Sequence, residues 1–299
     1  MTQYSFYPEP LYRKSIMDNA VEIAYTDKGD KDAAVILFIH GLANSMLTWE
    51  YNINELSKNY RCIAIDLPGN GLSSYSNDYP YTMDFFATSI NEFIKALELK
   101  NVYLCGHSMG GQISMTMAIK GNPEIKGLIL CAPAGIERFN SIEKSLYKNT
   151  MFFLGFVSSE ENSLRQAIYN SFYIMPESAK SHVDHLITLM NLQPRNHYKK
   201  MIENCINGML EEKVYEDFSK INVPVTIIFG ANDSLIPNKL IHSYSLRDML
   251  LNASVLFKDS SFEIIPSCGH LVHWEKPDMV NHFISVFVKE KSNLKAKVQ

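Results

Sequence analysis

The patterning predicts an α/β fold, a mostly parallel doubly wound sheet interrupted by one block of helices. Three observations carry that prediction. Short unbroken apolar runs rich in branched residues alternate with amphipathic stretches, as strands buried on both faces and their crossover helices require. Each run ends in a glycine- or proline-bearing turn, at residues 40–45, 67–71, 106–111 and 230–234. The alternation stops at Pro133-Ala134-Gly135 and resumes only at Val225-Thr226-Ile227-Ile228-Phe229-Gly230.

Taken in order, residues 15–25 hold two short alternating runs about Asp18-Asn19, a hairpin for the edge of a sheet. Ala34-Val35-Ile36-Leu37-Phe38-Ile39 and Arg61-Cys62-Ile63-Ala64-Ile65-Asp66 read as buried strands, separated by a helix over residues 46–58. Thr82 caps a helix whose Met83, Phe86, Ile90, Phe93, Ile94 and Leu97 share one face. Val102-Tyr103-Leu104 and Leu128-Ile129-Leu130-Cys131 are further strands, with a helix from 112 stopped by Gly121-Asn122-Pro123. From 136 to about 219 only helical patterns and loops follow, over 145–154, 163–172, 178–192 and 198–214. The expected division is a core of residues 1–134 and 220–299 and a helical cap of residues 135–219, inserted after the sixth strand. Such a cap would sit over the carboxyl ends of the strands.

With 299 residues, 46% of them hydrophobic and 20% charged, the chain can bury a substantial core and is not of disordered composition. A net charge of -4 leaves no basic footprint for nucleic acid. The first residues lack the basic start and apolar core of a secretory signal, and no stretch approaches a membrane span, so a cytoplasmic protein is expected. Five cysteines without C-x-x-C spacing, three of them inside apolar runs, read as free buried thiols.

The chemistry concentrates at Gly106-His107-Ser108-Met109-Gly110, where a strand meets a helix across a glycine-flanked serine. A side chain on Gly106 or Gly110 would collide with neighbouring backbone in so sharp a turn. A serine hydroxyl is a poor nucleophile at neutral pH, so Ser108 needs a base, and the base needs an orienting carboxylate. In this elbow architecture the acid and then the histidine follow the serine in the chain. Asp233, just past one strand, and His270, just past strand-like Phe262-Glu263-Ile264-Ile265, satisfy that order. Asp66 is the competing acid, though it precedes the serine. His40 is expected to hold the loop after the first buried strand, His107 to point away from Ser108, and His273 to support the His270 loop. His182, His185 and His197 read as surface or packing residues of the insertion. Backbone N–H groups of Leu42 and Met109 are the expected oxyanion donors. No Cys/His cluster has metal-ligand spacing and Gly69-Asn70-Gly71 is too sparse for a phosphate cradle, so neither metal nor cofactor is expected.

These motifs resemble the α/β-hydrolase fold family. His40-Gly41, Asp66-Leu67-Pro68-Gly69, the Ser108 elbow and Gly269-His270 with Glu275-Lys276-Pro277 behind it stand in the family's order and span the catalytic domain. The stretch from Ser108 to Cys131-Ala132-Pro133-Ala134-Gly135 resembles the monoacylglycerol lipase and carboxylesterase branch. That resemblance implies a serine hydrolase cleaving a carboxylic ester of a small to medium apolar acyl substrate through an acyl-enzyme; a small-molecule substrate and a monomer or homodimer are expected. Carbon–carbon bond hydrolases of ring-fission diketones are similar, but their loop after His-Gly is usually glycine-rich, unlike Leu42-Ala43-Asn44-Ser45. Epoxide hydrolases and haloalkane dehalogenases share the fold yet use aspartate where Ser108 stands. A binding module without turnover keeps the fold too, and the intact Ser108, Asp233 and His270 set weighs against it.

Met151, Phe152, Phe156 and Phe172, in the insertion, are the candidates for an apolar acyl pocket, with the plainer alternative that they pack the cap onto the core. Residues 151–157 also offer a surface that could touch a membrane. The residues near 244–258 lengthen the interval between Asp233 and His270 and have no assignment from sequence.

Overall fold

The computed structural model describes residues 6–149, 155 and 160–296. The hairpin at the start forms as expected. Strands β1 (Leu11–Ile16) and β2 (Val21–Lys28) pair antiparallel, and Met17, Asp18 and Asn19 turn the chain with φ of 51°, 55° and 67°. β3 (Val35–Ile39), β4 (Arg61–Ile65), β5 (Val102–His107), β6 (Ile125–Cys131), β7 (Val225–Gly230) and β8 (Ser260–Ile265) complete an eight-stranded sheet in the order β1-β2-β4-β3-β5-β6-β7-β8. From β4 to β8 all neighbours are parallel. β3, β5 and β7 are buried along their whole length, which is why they read as unbroken apolar runs.

Alternate residues of β3 feed two different cores: Val35, Leu37 and Ile39 face one helical layer, Ile36 and Phe38 the other. On the first side lies α2 (Met83–Ala96), where the Thr82 hydroxyl accepts from the Phe85 N–H at 3.1 Å and Met83, Phe86, Ile90, Phe93 and Ile94 are buried. Truncating any one of those to alanine would cost about 2–5 kcal/mol, from lost transfer energy and the cavity left behind.

The helix expected over residues 46–58 is broken in two. Met46–Trp49 is a tight 3-10 turn and α1 (Glu50–Leu56) follows it. The Asp66 carboxylate takes the Met46 N–H at 2.8 Å and the Ser45 hydroxyl takes the Leu47 N–H, which pins the first turn before α-helical spacing begins. Helix α3 (Met109–Lys120) leaves the elbow and ends at Gly121, whose φ is +79°.

Between β6 and β7 the described residues hold helices and loops only. These are α4 (Ser141–Lys148), α5 (Glu161–Tyr169), α6 (Ala179–Met190) and α7 (Arg195–Glu211), then a 3-10 turn at Tyr215–Lys220. This block grips the sheet side through polar staples. The Gln112 amide donates to the carbonyls of Met209 and Glu212, Gln193 donates to the Gly69 carbonyl, and Glu212 accepts from the Met83 and Asp84 N–H groups. The unassigned interval after Asp233 contains α8 (Leu246–Ser254), opened by a Ser245–Asp248 capping box; it is the crossover helix before β8. A short α9 (Val272–Glu275) and the long α10 (Pro277–Ala296) close the chain. Among the described residues, no helix is long and apolar enough to cross a membrane.

Candidate active site

The elbow has the geometry its glycines imply. Ser108 sits at φ 51°, ψ -115°, a region that non-glycine residues avoid, between the last residue of β5 and the first of α3. A Cβ on Gly106 would lie 2.4 Å from the Gly110 carbonyl oxygen, and one on Gly110 would lie 2.3 Å from that of Ile39. The strain is held by backbone bonds on both sides: Ser108 N–H donates to the Cys131 carbonyl at 2.9 Å, and the Ser108 carbonyl accepts from Gly111 and Ala134. Met109 opens α3, so its N–H has no carbonyl one turn back to serve.

Asp233 and His270 come from the ends of β7 and β8 and meet. His270 Nδ1 lies 2.9 Å from Asp233 Oδ2, and both side chains are nearly withdrawn from solvent. The other Asp233 oxygen, Oδ1, accepts from the N–H groups of Leu235 at 2.8 Å and Ile236 at 3.0 Å, so the carboxylate is fixed on both sides. With Nδ1–H given to the carboxylate, the lone pair of His270 is on Nε2. His270 and Ser108 line one cavity of about 70 Å³, together with Leu42, Ala43 and Asn44 of the loop after β3.

Asp66 is elsewhere. Its buried carboxylate accepts from the Tyr7 hydroxyl at 2.7 Å and from the N–H groups of Met46 and Leu72, each at 2.8 Å, and burial pushes its pKa up to about 6. It organises the turns after β3 and β4. His40 does the structural work expected of it. The Leu67 N–H donates to its Nε2 at 2.9 Å, which places the ring proton on Nδ1, and Nδ1–H donates to the Gly41 carbonyl at 2.7 Å. Complete burial lowers its pKa to about 4, so the ring stays neutral. His107 turns from Ser108 and donates through Nε2 to the His270 carbonyl at 3.1 Å; burial holds its pKa well below the ordinary value. His273 is buried between rings, 4.1 Å from Trp49 and 4.5 Å from His107 by centroid. In the helical block, His182 Nε2 lies 2.6 Å from the Glu50 carboxylate, His185 stacks on Phe6, and His197 bonds Tyr81 and Asn77.

Of the four aromatic and methionine candidates for a substrate pocket, Met151, Phe152 and Phe156 lie outside the described residues. Phe172 is buried with its ring 5.5 Å from that of Trp274, while its neighbours Ile168 and Ser171 line the cavity at Ser108. The five cysteines are free and buried; burial pushes the Cys268 thiol, two residues before His270, up to about 12. Among the described residues, no group of three or more His, Cys, Asp or Glu side chains is arranged to hold a metal.

Two carboxylates about the site carry roles that the sequence did not reveal. Glu275 accepts from the N–H groups of Gly269, Tyr173 and Ile174 at 2.9, 3.1 and 2.9 Å, and so ties the His270 loop to the helical block. The His270 N–H, which donates to the Ser171 carbonyl at 2.8 Å, reinforces that seam. Glu137 accepts from the Asn238 N–H at 2.6 Å and from His242 at 2.5 Å, on the loop that also carries Asp233. Glu275 could have been suspected from its place behind Gly269-His270, but Glu137 and His242, 105 residues apart, leave no local pattern.

The fold, the elbow and the two strand-end partners define a hydrolase of the α/β class. The alpha/beta hydrolase fold family matches residues 34–277, and the chain belongs to that family. It is similar to epoxide hydrolase 3 of Xenopus tropicalis, with 24% identity over 302 residues, 91% of this chain and 76% of that one. It is similar to monoacylglycerol lipase ABHD6 of Homo sapiens, also 24% identical, over 86% of this chain and 76% of the relative. In three dimensions it resembles an esterase from Exiguobacterium antarcticum, with a TM-score of 0.77 at 20% identity, covering 93% of this chain and 98% of that one; at such identity the likeness is one of fold.

Proposed function

We propose that the protein hydrolyses a carboxylic ester through an acyl-enzyme, with Ser108 as nucleophile, His270 as base and Asp233 as orienting acid. The observation that carries this reading is the 2.9 Å contact of His270 Nδ1 with Asp233 in a ring that shares a cavity with Ser108. Ser108 attacks the ester carbonyl as His270 Nε2 takes the hydroxyl proton. The same nitrogen returns that proton to the departing alcohol, and a water deprotonated by His270 then releases the acid. Asp233 keeps the imidazole in the tautomer with Nδ1–H and stabilises the imidazolium between the two proton transfers. The oxyanion is assigned to the backbone N–H groups of Met109, at the start of α3, and Leu42, in the cavity wall; losing one such donor typically costs about 3 kcal/mol.

Residues 135–219 are assigned as a cap that closes this cavity, since Ile168, Ser171, Ile206 and Met209 contribute to its lining. The relatives named as lipases and esterases support the ester as substrate class. The test is a panel of p-nitrophenyl esters from acetate to laurate on the wild type and on Ser108→Ala, with fluorophosphonate labelling. Labelling confined to Ser108 and a fall in turnover of about 10⁴-fold or more in the folded variant are expected. Wild-type turnover in Ser108→Ala would refute the assignment.

A further inference from the structure

A second, larger cavity of about 390 Å³ adjoins the one at Ser108. The two have Ala134, Tyr147, Ile206, Met209 and Ile236 in common, so the larger one lies directly against the cavity at Ser108. Its walls are largely apolar, as ligand cavities of this size are. Two buried polar side chains stand in them: Gln112, fully buried, whose amide nitrogen is spent on the Met209 and Glu212 carbonyls and whose Oε1 has no partner among the described residues, and Glu137, 8% exposed. The Glu137 Oε1 is fully engaged, by the Asn238 N–H at 2.6 Å and by His242 Nδ1 at 2.5 Å, and Oε2 has no partner among the described residues. His242 is itself held, between Phe139 and Tyr244 with ring centroids at 5.2 and 4.8 Å and with Glu143 3.7 Å from Nε2. A buried carboxylate that lines the chamber and is clamped by one oxygen keeps its second oxygen as an acceptor for a ligand there.

We propose that the larger chamber receives the half of the ester that extends away from Ser108, and that Glu137 there selects a hydroxyl group on the substrate. This rests on the esterase reading above. A neutral hydroxyl suits Glu137 better than an ammonium. Arg138 and Lys213 also line the chamber, together with Glu143 and Glu216, and Arg138 is paired with Glu216 at 3.6 Å, so the wall charge is mixed and the choice rests on Glu137 itself. Burial pushes the Glu137 carboxyl up to about 7, against the opposing bonds from His242 and Asn238. A hydroxyl can donate to the carboxylate and accept from the acid, whereas an ammonium serves only the carboxylate. The Tyr147 hydroxyl, at the junction of the two cavities and without a partner among the described residues, adds a second polar contact on the way.

The test measures binding by calorimetry to the full chain carrying Ser108→Ala, so that the readout does not depend on turnover. The ligands are hexyl butyrate against 6-hydroxyhexyl and 6-aminohexyl butyrate, and butyl hexanoate against butyl 6-hydroxyhexanoate, which place the group on the alcohol or the acyl half. In one of the two series the hydroxylated ester should bind about tenfold tighter than its deoxy partner, the effect of one hydrogen bond to a charged acceptor. Adding Glu137→Ala should erase that ratio. Equal binding within both series overturns the proposal, and so does tightest binding of the amine. Loss of affinity by the same factor for hydroxylated and deoxy esters in the Glu137→Ala protein also overturns it, since Glu137 would then be only a brace for Asn238. The ratio in the protein with Glu137 intact stands whether or not that variant folds. Should the hydroxylated ester bind as stated while wild-type protein hydrolyses none of the panel, the esterase reading fails and the chamber assignment holds.

Discussion

His270 Nδ1 and Asp233 Oδ2 meet at 2.9 Å across 37 residues of chain because β7 and β8 are parallel neighbours, so that both loops leave the same edge of the sheet. Helix α8 is what allows the long interval: it carries the chain back to the start of β8. The contact predicts the effect of Asp233→Asn. The Asn oxygen can keep the bonds from Leu235 and Ile236, which leaves its NH₂ facing His270. That donor requires an acceptor at Nδ1, so the ring proton moves to Nε2 and the base is blocked. Turnover of a p-nitrophenyl ester should fall about 10⁴-fold with the thermal midpoint little changed. A tenfold loss or less would show that the acid is another residue.

The elbow makes a prediction of the opposite kind, in folding rather than chemistry. A Cβ at Gly110 would sit 2.3 and 2.6 Å from the carbonyl oxygens of Ile39 and His40, both backbone atoms of a buried strand end. Neither can swing aside as a flexible side chain could. Gly110→Ala should therefore lose about 1–3 kcal/mol of stability or more in urea unfolding, with activity per folded molecule lowered as the elbow shifts. An unchanged midpoint would mean that α3 is free to move off β3.

How much of this could be read from sequence follows from how local each signal is. The elbow, the hairpin and the Thr82 cap are set by residues within a few positions of one another, so spacing alone revealed them. Asp233 and His270 are distant in sequence, yet each follows a strand, and the chain order of the motif paired them. Glu275 and Glu137 act on groups brought near only by the closed fold, Glu275 on Tyr173 at a separation of 102 residues and Glu137 on Asn238 at 101, so no periodicity marks them. The break at Trp49 was missed because the Asp66 carboxylate that tightens the preceding turn at Met46 lies 20 residues on. Of the four side chains offered for an acyl pocket only Phe172 lies among the described residues, and it packs on Trp274, in keeping with the plainer of the two readings.

His40 gives a pH dependence of definite sign. Its folded pKa, about 4, lies below the ordinary 6.5, so between those values the unfolded chain binds a proton that the native ring refuses. Stability from this group is complete above about pH 6.5 and declines as the pH falls toward 4, by about 3 kcal/mol over the full window. Buried Asp66 acts in the opposite sense, since its pKa is raised to about 6 and its charged form is penalised as the pH rises from 4 to 6. The comparison of wild type with His40→Gln isolates the histidine: urea midpoints at pH 7, 6, 5 and 4 should show a shallower acid decline in the variant. Parallel curves would mean that His40 titrates as if exposed.

Glu275 couples the helical block to the His270 loop. Three N–H groups converge on its carboxylate, one from Gly269 beside His270 and two from Tyr173 and Ile174. Replacement by Gln is not conservative here, because the new NH₂ must face an N–H that needs an acceptor. Each hydrogen bond to a charged acceptor is worth about 1.5–3 kcal/mol, and an orphaned N–H costs more than a bond simply exchanged for water. Glu275→Gln should therefore lower stability by about 2–3 kcal/mol. It should also lower kcat by about tenfold with KM less affected, because the loosened loop carries His270, the base of the proposed mechanism. If instead the variant raises KM alone, the seam shapes substrate entry and His270 is held without it. A variant with stability lost and kcat intact would limit Glu275 to fastening the helical block.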